Sequence, residues 1–557
     1  MRTIVALLIG GTVAVSAQAP APAPQAGGAD KPSGIIRGRI LGPNGRPARR
    51  ASVRILPPTG GFPRSVSADM EGRYEFAGVA PGDYRVTAGK PGYLSLEFGQ
   101  QRAFESGTVV TIGKGETLDR IDITLPASGA ISGRIFDANG DPVEGIGVEV
   151  MQLQFGANRR MLIHVAGVGR RVTNDQGRYR LFGVPPGRYM VMAGLTVDPP
   201  APSSAILPPG YASTFAPGTP DPSAARMVAV GLSDQIEDVD MTLARVPTSR
   251  ISGTVVDSHG APARMGVLLS RSMRSGALIM EPLNSIAGAD GRFEIPNVPD
   301  GEWVLQTFGG GADVNQGREG EFVSRFVTVT GTDVTDLRLQ TSIGSRIEGR
   351  IVFEGTGGAD PTGVTLMAMP SDFDRAPLVG PTGRATGRPD GTFVLEGLNG
   401  PRRLMMRGPP SWRLKAIRAN GRDVTDETLS FGTKEESLAD VEVVLTNSES
   451  GVIGRVADAR GRVVTDYTVV VFATSADRWY QGSRFLAFTR PKMDGAFEIA
   501  GLPPAQYYVA AVDRLQGTAG FGEWQDPAFL ESIAPRAARV TVADGQLTAV
   551  TPRLIVR

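Results

Sequence analysis

Cysteine is absent from all 557 residues. That absence excludes disulfides, thiolate nucleophiles, Cys-ligated zinc and a lipid-modified Cys anchor. Histidine is nearly absent as well. His164 is followed by Val-Ala-Gly and His259 by Gly-Ala-Pro, so neither begins a zinc motif. Neither sign of charge dominates: the formal net charge is +1, which points to no nucleic acid and no anionic membrane surface as partner. Lysine is scarce, confined to Lys31, Lys90, Lys114, Lys415, Lys434 and Lys492, so nearly all the basic residues are Arg. No Gly-x-Ser-x-Gly elbow and no phosphate-binding glycine loop occurs. No uninterrupted apolar run reaches the 18 residues of a membrane span, so no membrane insertion is expected once the N-terminus is removed.

What is present begins with an export signal. Met1-Arg2 supplies a positive end, residues 4–15 an apolar run, and Val15-Ser16-Ala17 the small residues of a cleavage site. Residues 1–19 read as a signal peptide. Residues 20–33 read as a linker, because proline at alternate positions of the Ala/Pro run favours an extended tether. The expected location is exported: periplasmic, outer-surface or extracellular. The length calls for three to five domains, and domains of about 100 residues can be stable through packing alone.

The rest of the chain repeats one motif five times. Each copy opens on a strand-like alternation around a glycine: Gly38, Gly133, Gly253, Gly349 and Gly454. A glycine inside a strand marks a bulge or a close backbone approach. A second glycine (Gly72, Gly177, Gly291, Gly391, Gly495) anchors a turn with fixed offsets beyond it. Two residues on is an aromatic: Tyr74, Tyr179, Phe293, Phe393 and Phe497. Four and seven on are aliphatics or Phe, from Phe76 and Val79 in the first copy to Ile499 and Leu502 in the last. Twelve on come Tyr84, Tyr189, Trp303, Arg403 and Tyr507. Offsets two and four share a strand face, so they point into one core. A further strand closes each copy, at 121–125, 239–243, 334–339, 441–445 and 550–556. Six to seven short strands per copy, and no helix, predict an all-β fold of five tandem sandwiches. Their expected bounds are 34–126, 127–246, 247–342, 343–448 and 449–557, with a Pro-rich surface loop at 199–222 in the second.

Two phrases carry a family likeness: Gly133-Arg-Ile-Phe-Asp-Ala-Asn-Gly-Asp-Pro-Val143, and the run from Thr173 to Tyr189 that contains Asp175-Gln-Gly-Arg-Tyr179. They resemble the carboxypeptidase regulatory-like domain, a transthyretin-like (prealbumin-like) β-sandwich similar to Cna B-type repeats. The likeness covers nearly all of the chain after the linker, more strongly in the first three copies. Residues 411–426 and 526–530 also resemble large exported multi-repeat proteins of acidobacterial type. The resemblance implies a non-catalytic module, because the zinc-binding His-x-x-Glu pair and third His of the attached carboxypeptidase are missing. Cna B-type isopeptide bonds use a first-strand Lys; all five first strands lack one, so no such cross-link is expected.

The residues therefore point to no enzyme, no cofactor, no metal and no catalytic group. The Asp-Gly turns at Asp290, Asp390 and Asp494 lack the alternating oxygen ligands of a calcium loop, and hairpin chemistry accounts for them. Four aromatics are the candidate ligand or partner contacts: Trp412, Trp479, Tyr480 and Trp524. Trp479-Tyr480 and Trp524 fall in apparent loops, where packing at a module boundary ranks first, partner contact second and a sugar platform third. Trp303, at offset twelve, is expected in a core. The leading functional expectation is an exported structural or interaction protein, a semi-rigid rod presenting loops for protein contact at the cell envelope. The alternative is a carbohydrate-binding accessory protein that uses loop aromatics on polysaccharide.

Overall fold

The computed structural model describes residues 33–57, 63–100, 107–156, 158–165, 167–194, 210–275, 283–313, 315, 317–409, 411–458, 460–492, 494–515 and 522–557. The signal-peptide reading, the linker apart from residue 33, and residues 199–209 of the Pro-rich loop lie outside the described residues.

Among the described residues ten sheets pair into five sandwiches, numbered here as modules 1 to 5 in chain order. They hold four and five strands in module 1, four and six in module 2, three and four in module 3, five and four in module 4, and three and five in module 5. All modules but the third thus exceed the six to seven strands expected. Some edge and closing strands are two-residue pieces, such as Thr117–Leu118 and Ile123–Thr124, which alternation in sequence cannot resolve.

Every module shares one pairing scheme. In module 2 the first strand, Gly129–Phe136, runs antiparallel to Arg178–Val184 and parallel to the two closing pieces Gln235–Ile236 and Met241–Thr242. The facing sheet pairs Gly147–Gly156 with Gly187–Gly194. The repeat glycine lies directly opposite the offset-two aromatic in all five copies: Gly38 with Tyr74, Gly133 with Tyr179, Gly253 with Phe293, Gly349 with Phe393 and Gly454 with Phe497. A Cβ on these glycines would lie 1.9–2.2 Å from a carbonyl oxygen of the closing segment, that of Ile121 in module 1 and of Val239 in module 2. The Tyr74 and Tyr179 hydroxyls donate to those same two carbonyls. Glycine is therefore required by close approach, and the ring spans the space that a side chain would have filled. The rings are buried with the offset-four and offset-seven residues in one core per module. Fully burying each such side chain contributes about 1.5–3 kcal/mol before entropy is subtracted. Trp303 is buried in the module 3 core, as expected.

Four sequence expectations need correction. First, the offset-twelve position in module 4 is held by Arg402, not Arg403. The turn from Leu398 to Gly400 is one residue shorter than that from Val298 to Gly301, and a one-residue shift exchanges the faces of a strand. The equivalence shows in a shared bond. Tyr84, Tyr189, Trp303 and Tyr507 donate from their ring tips to the carbonyls of Ala80, Pro185, Pro299 and Pro503, and Arg402 Nε donates to Asn399 O at 2.8 Å. Second, residues 550–556 form no single closing strand. Leu547–Val550 joins the first strand of module 5, and Leu554–Ile555 crosses to the facing sheet. Third, the chain contains an α-helix, Pro527–Ile533, whose first turn is capped by Asp526 Oδ1 accepting from Ala528 N. Seven residues carry too little periodicity to stand out in sequence.

Fourth, modules 2 to 5 contact one another in a closed circuit, which replaces the expected rod. Arg159, at the tip of the module 2 hairpin, donates to Met273 O of module 3. Module 4 docks on module 3 through buried Asp374, which accepts from Ser272 Oγ at 2.9 Å and Met273 N at 3.0 Å. Gln306 of module 3 donates in return to Phe373 O and Ala376 O. Arg484 of module 5 pairs with Asp426 of module 4 through two 2.9 Å bonds. The module 2 hairpin closes the circuit: Arg160 pairs with Asp526 at 2.8 Å and Asn158 Oδ1 accepts from Gln481 N at 2.8 Å. Contacts between residues that lie 58 to 366 positions apart leave no periodic trace in the sequence.

Candidate functional site

The closed circuit leaves a cleft of about 530 Å³ where modules 2, 4 and 5 meet. Its floor is the outer face of a module 4 sheet. Thr365–Pro370 and Gly400–Arg407 pair with Met369 opposite Arg403 and Met367 opposite Met405. Leu366, Ala368, Arg402 and Leu404 alternate with these residues and face the core, so Met369, Arg403 and Met405 project outward. The segment from Tyr480 to Arg484 of module 5 covers this floor, Trp412 and Trp524 stand at its sides, and Asn158 reaches the rim from module 2.

Three of the four aromatics singled out from sequence thus line one cleft: Trp412, Tyr480 and Trp524. Trp479 does not. It follows the short turn Ala476–Arg478, donates from Nε1 to Ala473 O at 2.7 Å, and packs edge-on against Phe472 inside module 5. The three lining aromatics are also more occupied than free loop rings would be. Trp412 is only 5% exposed and meets Phe353 edge-on at 4.8 Å in the module 4 core. Trp524 is 8% exposed, 4.7 Å from Phe488, in a second module 5 core built around the helix Pro527–Ile533. Tyr480 is half-buried beneath the Arg403 guanidinium, whose carbon lies 3.7 Å from the ring centroid. Burial raises the Tyr480 hydroxyl pKa above its ordinary value, so the ring stays neutral.

Sequence reasoning missed the charged lining. Three guanidinium groups, Arg403, Arg413 and Arg484, face one carboxylate, Asp426. Both Asp426 oxygens are taken by Arg484, which also donates to Leu414 O and Lys415 O. Arg403 is differently placed: its Nε is buried without a hydrogen-bond partner among the described residues, and its guanidinium stacks on the Tyr480 ring. Its assignment to a core position from offset counting concealed it. With its one carboxylate held in an ion pair, this lining suits binding rather than acid–base catalysis.

A second cavity, about 620 Å³, lies between modules 3 and 4. Its acids are committed to structure: Glu319 to Arg402, Glu321 to Ser258 and Thr341, and Glu348 and Glu396 to Arg346. Among the described residues no group of three or more His, Asp or Glu could hold a metal ion. No described helix is long and apolar enough to cross a membrane.

Module 1 has a counterpart among known families. The carboxypeptidase regulatory-like domain model matches residues 35–126. The regulatory-like match is confined to this module; the other four share its glycine–aromatic register. No curated protein matches the chain. Among solved structures, the TIE protein of Bacillus anthracis is similar at 12% identity over 56% of this chain, with a TM-score of 0.15. The alignment spans 50% of the TIE chain. The minor pilin GBS52 of Streptococcus agalactiae is similar at 14% identity over 39% of this chain and 98% of its own, with a TM-score of 0.21. The major pilin subunit BcpA (D312A form) of Bacillus cereus is similar at 12% over 55% and 99%, with a TM-score of 0.14. Scores this low carry no functional argument.

Proposed function

We propose that this chain is a non-catalytic, exported interaction protein of the cell envelope, built of regulatory-like modules, which contacts a partner protein through the cleft between modules 2, 4 and 5. The observation that carries this reading is the convergence of three modules on one cleft lined by Tyr480, Met369, Met405 and an Arg403 that has no ion-pair partner among the described residues. Aromatic, Met and Arg side chains are the types enriched where proteins meet. A stacked sugar needs an open ring face, whereas the candidate aromatics are packed against Phe353, Phe488, Phe472 and Arg403. The geometry therefore favours protein contact over the polysaccharide alternative.

The test places a photo-crosslinking residue at Ser371, on the cleft wall, in cells exporting the full chain, with exposed Arg407 as the control position. A discrete protein adduct from position 371 and none from 407 is expected. No adduct from Ser371, together with glycan-array binding that Tyr480→Ala abolishes, would overturn the proposal in favour of the carbohydrate reading.

A further inference from the structure

The cleft combines an apolar, adaptable floor with a guanidinium that no carboxylate among the described residues answers. Met369 and Met405 are unbranched and polarisable, suited to varied apolar side chains. Between them and Tyr480 lies Arg403. Among the described residues it makes no ion pair and no side-chain hydrogen bond, and its Nε is shut off from water. A guanidinium desolvated on one edge and stacked on a ring presents its remaining N–H groups as a planar fork, the geometry that matches a carboxylate. Arg484 and Asp426 satisfy one another, so the local surplus is positive. The volume, about 530 Å³, lies within the range of sites that hold a ligand several groups long. At the rim, Asn158 Oδ1 accepts from Gln481 N at 2.8 Å.

The geometry points to the C-terminus of a partner polypeptide as the occupant: its α-carboxylate on Arg403 and its apolar last side chain against Met369 and Met405. This rests on the protein-contact reading above and names what the partner inserts. Chain-end capture is an established mode of peptide recognition, and one fork-to-carboxylate pair beside an apolar floor gives both strength and direction.

The experiment uses the full exported chain, its tryptophan fluorescence, and three probes: N-acetyl-Ala-Ala-Leu with a free carboxylate, the same peptide as its C-terminal amide, and octanoate. The free acid is expected to bind at least about tenfold more tightly than the amide, with octanoate weaker than the peptide acid. Arg403→Gln is expected to bring the acid down to the affinity of the amide without altering the amide itself. Arg407→Gln, exposed on the same strand, keeps the preference. Should Arg403→Gln fail to fold, Arg403→Lys serves instead, since it retains charge but not the fork and reduces the preference. Equal affinity for acid and amide, a preference that survives the Arg403 change, or tighter binding of octanoate would each overturn the inference. In those cases a persisting Ser371 adduct leaves the interaction reading standing, and a lost adduct removes both.

Discussion

Glu319→Ala tests how modules 3 and 4 are joined. Glu319 leaves module 3 and enters module 4, where it meets Arg402 at 2.7 Å with the two side chains 3% and 1% exposed. Arg402 also donates to Asn399 O and Ala368 O, and Glu319 Oε1 accepts from Gly383 N at 2.9 Å. Burial is the largest influence on both charges, holding the Glu319 carboxyl above its usual range and the Arg402 guanidinium below its own. Attraction therefore does not outweigh desolvation, and the pair adds little stability relative to an apolar pair of similar volume. Removing one partner is another matter. It strands a buried charge and costs about 3–5 kcal/mol. The measurement is native-state hydrogen exchange of the strands Thr365–Pro370 and Gly400–Arg407, which resolves one module within a multidomain chain. Their opening should become roughly a hundred- to a few-thousand-fold more frequent in Glu319→Ala, at about 1.4 kcal/mol per decade. The double variant Glu319→Leu/Arg402→Leu should return close to the parent. A single-variant cost below about 1 kcal/mol, or a double variant no better than the single, would refute the reasoning.

Gly133→Ala should destabilise module 2 by more than the roughly 1–3 kcal/mol of an overpacked core site, because the clashing atom is the backbone oxygen of Val239 and not a movable side chain; calorimetry should show one transition moving down while the others stay. Arg160→Ala should open the contact between modules 2 and 5, seen as an increased radius of gyration in solution scattering, while Asp526→Ala should in addition cost about 1 kcal/mol through loss of the helix cap. In the turns, Asp137 and Asp458 accept two backbone N–H bonds each, and the bonds from Asp141 and Arg462 are the leading influences holding their pKa values below the ordinary range. A carboxylate whose pKa is lowered on folding contributes stability above its unfolded value, about 3.9, and loses it as the pH falls through the folded value. Modules 2 and 5 should therefore melt progressively earlier below about pH 4, with a shallower acid slope in Asp137→Asn and Asp458→Asn.

The core was legible because it is local. Offsets of two, four and seven from a turn glycine place Tyr179, Leu181 and Val184 on one strand, and strand geometry alone turns them inward. The first-strand glycines declared a close approach before the approaching carbonyl was known. Counting failed where one residue was missing: the shortened turn before Gly400 buried Arg402 and left Arg403 facing the cleft, the reverse of what offset twelve implied.

The aromatics show the boundary between the two kinds of information. The sequence was enough to mark Trp412, Trp479, Tyr480 and Trp524, since only four Trp occur in the chain and three of them fall outside the repeat offsets. It could not say that three of them meet while Trp479 turns back onto Phe472. The sequence by itself determined five copies of one sandwich, since each copy's periodicity is set by neighbours a few residues apart. Only the tertiary structure decided that modules 2 to 5 close on themselves. The bonds that hold the closure, Arg160 to Asp526 and Glu319 to Arg402, join residues that share no period and pay their loop-closure entropy only when whole modules dock.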